Sequence, residues 1–222
     1  MKIPSFEMPK HRAGQDFVDE ELIDLKEYFK DDIIIEPMYY KVGIEYAIDK
    51  CFVRKSVAQQ LDKAFNSLDS SLTFKVFDAW RPISVQQVLF YKYYALCKLL
   101  NPDCDEAILL EEVKTYIAPP SYDITHPSVH NTGGAIDLTL VDKYSGIELN
   151  MGTCFDHFSK KSATSYAEYR NNEEVKQNRR KLYWTMIGAG FTNLPSEWWH
   201  YDYGDDYWSY YTKQLAKYRG IK

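Results

Sequence analysis

A chain of 222 residues, 45% apolar and 27% charged, carries enough apolar side chain for one well-buried core. Its 27 Lys plus Arg against 32 Asp plus Glu leave a net charge of −5, which gives no electrostatic footprint for a nucleic-acid backbone. No apolar run approaches the roughly 20 residues of a membrane span, and 10 Gly with 9 Pro exclude collagenous and low-complexity classes.

In chain order, Met1 to Asp31 carries no assignable pattern and is expected to be a helical arm or edge packing. The opening Met1-Lys2-Ile3-Pro4-Ser5-Phe6-Glu7 lacks the apolar stretch and cleavage site of an export signal, so a cytoplasmic protein is expected. Ser56 reads as the N-cap of a helix whose apolar face is Val57, Leu61, Ala64, Phe65 and Leu68. Thr73 to Asp78 reads as a strand, and a second helix runs from about Ser84 towards Leu100. Asp105 caps a third helix through Leu109, Val113 and Tyr116, stopped by Pro119-Pro120. Ala135 to Val141, Ile147 to Met151 and Trp199 to Tyr203 are further strand candidates. Between the last two, Glu173 to Ala189 forms a helix with Gly190 as its C′ residue, and Tyr207 to Lys217 is a last short helix. The helices do not alternate strictly with the strands. The expected fold is therefore α+β, one domain over residues 1–222 with a mainly antiparallel central sheet flanked by helices.

The four cysteines, Cys51, Cys97, Cys104 and Cys154, have neither C-x-x-C spacing nor the density of a disulfide scaffold, so reduced thiols are expected, with Cys97 and Cys104 the one pair open to bonding. Aromatic content is 16%, and the run Tyr201 to Tyr211 is expected to present an exposed patch suited to a homodimer contact.

Three stretches carry chemistry. In Ser128-Val129-His130-Asn131-Thr132-Gly133-Gly134-Ala135-Ile136-Asp137, a polar loop turns at two glycines and enters a strand. Asp137 shares a strand face with the small residues Ala135 and Thr139, while Ile136, Leu138 and Leu140 take the other. A divalent metal explains a carboxylate there with a histidine folded back beside it, and both donor types suit zinc; the plain alternative is a solvated loop Asp. In Glu197-Trp198-Trp199-His200, Glu197 fits a general base and His200 a third metal ligand, provided that the chain turns near Glu197, as Pro195 favours. Taken alone, this stretch reads equally as core Trp and an interior histidine. In Asp78-Ala79-Trp80-Arg81-Pro82, Pro82 holds a strand-end arginine extended, where it can meet a developing oxyanion or simply pair with Asp78.

Together with Met151-Gly152-Thr153-Cys154-Phe155-Asp156, these motifs occur in an order that resembles the D-alanyl-D-alanine dipeptidases of the VanX type, zinc peptidases related to the D,D-carboxypeptidases of cell-wall metabolism, over roughly Ile35 to Trp208. The resemblance implies one Zn2+ per chain on His130, Asp137 and His200, with Glu197 as base and Arg81 at the transition state. It further implies Asp156 receiving the substrate's free amino group, Ser128 near its carboxylate, and Asp78, Trp198 and Trp199 as supports behind them. The partner implied is a small dipeptide, cleaved to two D-alanines, with neither nucleic acid nor membrane involved. A D,D-carboxypeptidase or peptidoglycan endopeptidase with the same metal centre, and a non-catalytic zinc-binding interaction module, are the alternatives. The chain departs from the family pattern at Trp80, where Tyr is commoner, and in the long acidic segment Asn101 to Tyr116.

Overall fold

The structure is a computed structural model that describes residues 1–222. Its backbone is organised by a five-stranded sheet of order β2-β4-β5-β7-β6, built from β2 (Ile34–Ile35), β4 (Leu72–Asp78), β5 (Ala135–Asp142), β6 (Thr192–Asn193) and β7 (His200–Asp202). All pairings are antiparallel except β2 with β4, so the sheet is mixed, with an antiparallel majority as expected. β4 and β5 are long because Phe74 and Val76 face Leu140 and Leu138 across the ladder, and all four are buried in one apolar cluster that runs from Leu25 to Tyr218.

Helices α3 (Lys55–Asn66) and α6 (Glu173–Gly188) cover that apolar face through Leu61, Leu182 and Met186. Helices α4 (Ile83–Leu100) and α5 (Glu106–Tyr116) pair as a hairpin with a small core of their own, including Phe90, Leu109 and Val113. Asp105 caps α5 by accepting from the amides of Ala107 and Ile108, as its position suggests. No helix is long and apolar enough to cross a membrane.

Several expectations are corrected. Ser56 does not cap α3; the helix begins two residues earlier than that cap implies, at Lys55 behind Arg54, and the Ser56 hydroxyl is taken by Glu20. Ile147 to Met151 is not a strand. Asp142 gathers the Tyr144 and Ser145 amides into a turn, after which one bridge, Glu148 with Val141, returns to β5, flanked by Asp142 N–H on the Ile147 carbonyl at 3.0 Å and Leu149 N–H on the Leu140 carbonyl at 2.8 Å. The last helix, α7 (Asp206–Thr212), stops early at Lys213, whose φ of 61° is left-handed, and Ala216 beyond it bridges to Gln15.

Met1 to Asp31 is not a helical arm. An extended segment leads into β1 (Leu22–Asp24), which pairs with β3 (Phe52–Arg54), and into α1 (Leu25–Phe29), capped by Asp24. Between β2 and β3 a short α2 (Met38–Lys41) also escaped the pattern. The aromatic run Tyr201 to Tyr211 is turned inward, with Tyr201 and Trp208 buried, so it offers no exposed patch for a dimer. All four cysteines are free thiols.

Candidate metal centre and active site

One rung of the sheet assembles half of the centre. Asp137 on β5 is the register partner of His200 on β7 and of Asp78 on β4. Val76 pairs with Leu138 on the core face, and without interruption Asp78 would share that face. A register shift between Val76 and Asp78 inserts one residue, so Asp78 turns to the side of Asp137 instead. β5 is buried on both faces down to Val141, which excludes a solvated loop position for Asp137.

His130 arrives from a single 3-10 turn, Val129–Thr132, that reverses at Gly133. Gly133 has a φ of 75°, and a Cβ on Gly134 would lie 2.8 Å from the Tyr203 carbonyl oxygen, so both glycines are required for the loop to fold back over β5. The loop is stitched to the neighbouring motif by Arg81 N–H donating to the His130 carbonyl at 3.2 Å. Glu197 is delivered by a turn at Pro195-Ser196 closed by its amide on the Leu194 carbonyl at 3.0 Å. Thr164 and Asn193 then hold its own carbonyl, each at 3.0 Å.

The donor set fits a small divalent cation. His130 Nδ1 donates to the Ala79 carbonyl at 2.8 Å and His200 Nε2 donates to Asp202 at 2.8 Å, so both outer nitrogens carry their protons. The inner nitrogens, His130 Nε2 and His200 Nδ1, lie 3.1 Å apart, and the two Asp137 oxygens sit 3.0 Å from His200 Nδ1 and 3.4 Å from His130 Nε2. Three potential ligand atoms thus converge, and a divalent cation would displace any proton shared among them. Their spacing matches the roughly 3.3 Å edge of a tetrahedron with zinc–ligand bonds of about 2.0–2.1 Å. Burial alone would push Asp137 up, but the two imidazoles hold it well below the usual carboxylate range.

Around this trio the site is charged and enclosed. The Glu197 carboxylate has no hydrogen-bond partner, stands 4.0 Å from His200 Nδ1, and is pushed up to about 8 by burial. Arg81 donates through Nε and Nη2 to Asp78 at 2.8 and 2.6 Å, through Nη1 to Gln86 at 2.7 Å and through Nη2 to Tyr39 at 3.3 Å, which leaves one Nη1 hydrogen free. Burial opposes the guanidinium charge, yet Asp78 and its other acidic neighbours hold Arg81 above its ordinary value.

Tyr39 passes the chain on by donating to Asp156 Oδ2 at 2.8 Å. Asp156 has a φ of 56°, and Phe155 anchors it, stacked on Phe77 with ring centroids 4.8 Å apart and edge-on to Trp199 at 5.6 Å. Burial pushes the Asp156 carboxyl up to about 7. Trp198 ties the same loop down by donating to Thr153 at 2.8 Å, and Arg179 of α6 does so by donating to the Met151 carbonyl at 2.7 Å.

A cleft of about 310 Å³ opens onto all of these groups, lined by Arg81, Ser128, His130, Asp137, Asp156, Glu197 and His200. Ser128 lines the cleft, and its side chain caps nothing in the protein. The structure therefore brings every expected site residue to one place, with Asp78, Trp198 and Trp199 directly behind it. Sequence reasoning missed three more, Tyr39, Gln86 and Asp202. Only Asp202 had a signal, two residues after His200 and hence on the same strand face.

A peptidase M15 family model described as D-Ala-D-Ala dipeptidase matches residues 34–219. D-alanyl-D-alanine dipeptidase of Synechocystis sp. is 32% identical over 197 residues, 79% of this chain and 79% of that protein. D-alanyl-D-alanine dipeptidase of Escherichia coli is 30% identical over 183 residues, 81% of this chain and 77% of that one. Among solved structures, VanYB in complex with D-alanine-D-alanine aligns over 77% of this chain and 84% of its own, at 19% identity and a TM-score of 0.45. The match runs from β2 through α7 and takes in every residue placed around the cleft except Met8, and on it the chain belongs to the D-Ala-D-Ala dipeptidase family.

Proposed function

We propose that this chain hydrolyses the free dipeptide D-alanyl-D-alanine to two D-alanines with one zinc ion on His130, Asp137 and His200, and that residues 1–222 act as one domain in doing so. The observation that carries this reading is the unpaired Glu197 carboxylate beside three converging lone-pair donors. When bound, zinc supplies Lewis acidity towards a carbonyl oxygen and a water of lowered pKa.

The protein supplies the rest. Glu197, free of any hydrogen bond, takes the proton of the attacking water and returns it to the departing amine. Its base form needs help, because burial favours the protonated acid, and the positive charge of a filled centre provides that help. The Nη1 hydrogen that Asp78, Gln86 and Tyr39 leave free is the donor Arg81 offers to negative charge developing on the substrate oxygen. Asp202 and Ala79 fix the two imidazoles so that their inner nitrogens need no reorganisation.

Asp156 sets the length of the substrate. Tyr39 occupies one of its oxygens and leaves the other to the cleft, where burial makes an unaccompanied carboxylate costly. A substrate ammonium relieves that cost; a blocked amine does not, and leaves the carboxyl uncompensated. Ser128, which also lines the cleft, donates to the substrate carboxylate in this reading.

Arg81→Lys keeps the charge but cannot serve Asp78, Gln86 and the substrate together. Its kcat is expected to fall about 10²-fold with KM little changed, checked by steady-state kinetics on D-Ala-D-Ala. The reading as a whole is tested by comparing D-Ala-D-Ala with N-acetyl-D-Ala-D-Ala on the zinc-loaded chain. Release of D-alanine from the free dipeptide alone supports it, equal cleavage of the blocked substrate moves the function to a D,D-carboxypeptidase, and zinc binding without any cleavage moves it to a binding module.

A further inference from the structure

One side chain lining the cleft comes from outside the family match. The match begins at residue 34, whereas Met8 lines the same cleft as Ser128, Glu197 and Tyr207. Residues 1–20 contain no helix and only a single bridge, between Gln15 and Ala216, so they have no reason of their own to stay in place. They are tied down nonetheless, on both sides of Met8. Before it, the Glu7 carbonyl accepts from the Tyr211 hydroxyl at 2.7 Å. After it, Arg12 Nη1 lies 3.1 and 3.2 Å from the two Asp206 carboxylate oxygens and donates to the Thr125 carbonyl, and Ala13 N–H donates to Ser209 at 3.0 Å.

These anchors define where the segment lies. Tyr211, Asp206 and Ser209 belong to α7, and Thr125 stands three residues before Ser128. The segment therefore spans from α7 to the loop that presents Ser128. Arg12 is well shielded, with 13% of its side chain exposed, as a charge pair that fixes a position should be. Met8 is not used to hold the segment: 43% of it is exposed, although Ile3 of the same segment is fully buried. A flexible, polarisable apolar side chain is held at the mouth of an active-site cleft with much of its surface still free.

We infer that residues 6–13 form a wall of the cleft in which Met8 packs against a C-terminal substrate side chain larger than methyl and is idle with D-alanine there, and that Arg12 is the positioning residue that keeps it in place. The inference rests on the proposed dipeptide reading, because the C-terminal residue is located by its carboxylate at Ser128. A methyl side chain reaches little of Met8, whereas a larger apolar side chain buries against it. The contact exists equally before and during reaction, so it acts on binding and leaves kcat alone.

The test uses the zinc-loaded full chain with D-Ala-D-Ala and D-Ala-D-Leu. Met8→Ala is expected to raise KM for D-Ala-D-Leu about fivefold with kcat unchanged, and to leave both constants for D-Ala-D-Ala within about twofold. Met8→Leu should restore the D-Ala-D-Leu value, and Arg12→Ala should reproduce the loss by unhooking the segment. Equal changes for the two dipeptides, no change for either, or no cleavage of D-Ala-D-Leu by the unmodified chain overturns the inference while D-Ala-D-Ala hydrolysis still stands. Failure of the unmodified chain to cleave D-Ala-D-Ala overturns the dipeptide reading, and this inference with it.

Discussion

Glu197→Gln should lower kcat on D-Ala-D-Ala by about 10³-fold and leave one zinc per chain. The replacement keeps the volume and the cleft shape but removes the only unpaired carboxylate beside the His130, Asp137 and His200 trio. Glu197 stands 4.0 Å from His200 Nδ1, farther than the 3.0 to 3.4 Å that separate Asp137 from the two inner imidazole nitrogens, which supports a role other than ligand. Kinetics and metal analysis on the same sample separate the two roles. Loss of zinc along with activity would make Glu197 a ligand, and retention of both would remove it from the chemistry.

The second large effect is on stability and follows from charge burial. In the metal-free chain, burial raises Glu197 to about 8 and Asp156 to about 7, and Asp202 with Asp137 raises His200 against the opposing effect of burial. For each of these groups the folded protein keeps a proton that the unfolded chain has already released. Unfolding thus releases protons between about pH 5 and 8, and stability falls as pH rises through that window. Asp137 has the opposite sign, but it is depressed, and its contribution is lost only in strong acid.

The chelated protein should lose at least about 2 kcal/mol between pH 5 and pH 8, read as a Tm about 5 °C lower or more. Zinc competes with those same protons, so the gain in Tm on adding it should grow with pH. Calorimetry at pH 5, 6.5 and 8 with and without zinc measures both. A Tm of the chelated protein that holds steady or rises with pH would mean that the three groups are not buried as the structure has them.

The convergence of the candidate site residues was largely legible because they lie in short, unusual strings. A carboxylate between Ala135 and Thr139 on an otherwise apolar strand, two glycines before it, and a proline ahead of Glu197 each encode a local constraint that the structure expresses. The long helices were legible for the same reason, since apolar spacing and a capping Asp105 act within a few residues. What escaped depends on distant partners. β1 and β2 are three and two residues long and exist only because Phe52–Arg54 and Lys75–Val76 offer edges to pair with. Tyr39 sits on a four-residue helix with no periodicity to detect, yet it connects Arg81 to Asp156. Ile147 to Met151 had the composition of a strand, but its pairing with β5 ends after one bridge, Glu148 with Val141, and the two backbone hydrogen bonds that flank it, Asp142 N–H to the Ile147 carbonyl and Leu149 N–H to the Leu140 carbonyl. The bulge that swings Asp78 to the side of Asp137 likewise depends on the ladder with β5.

The account stands on zinc-dependent hydrolysis of a free dipeptide, and the most direct measurement is D-alanine release from D-Ala-D-Ala by chelated protein titrated with zinc. The account predicts no release before addition, a linear rise, and a plateau at one zinc per chain. Release that survives chelation, or none at one bound zinc per chain, would contradict it.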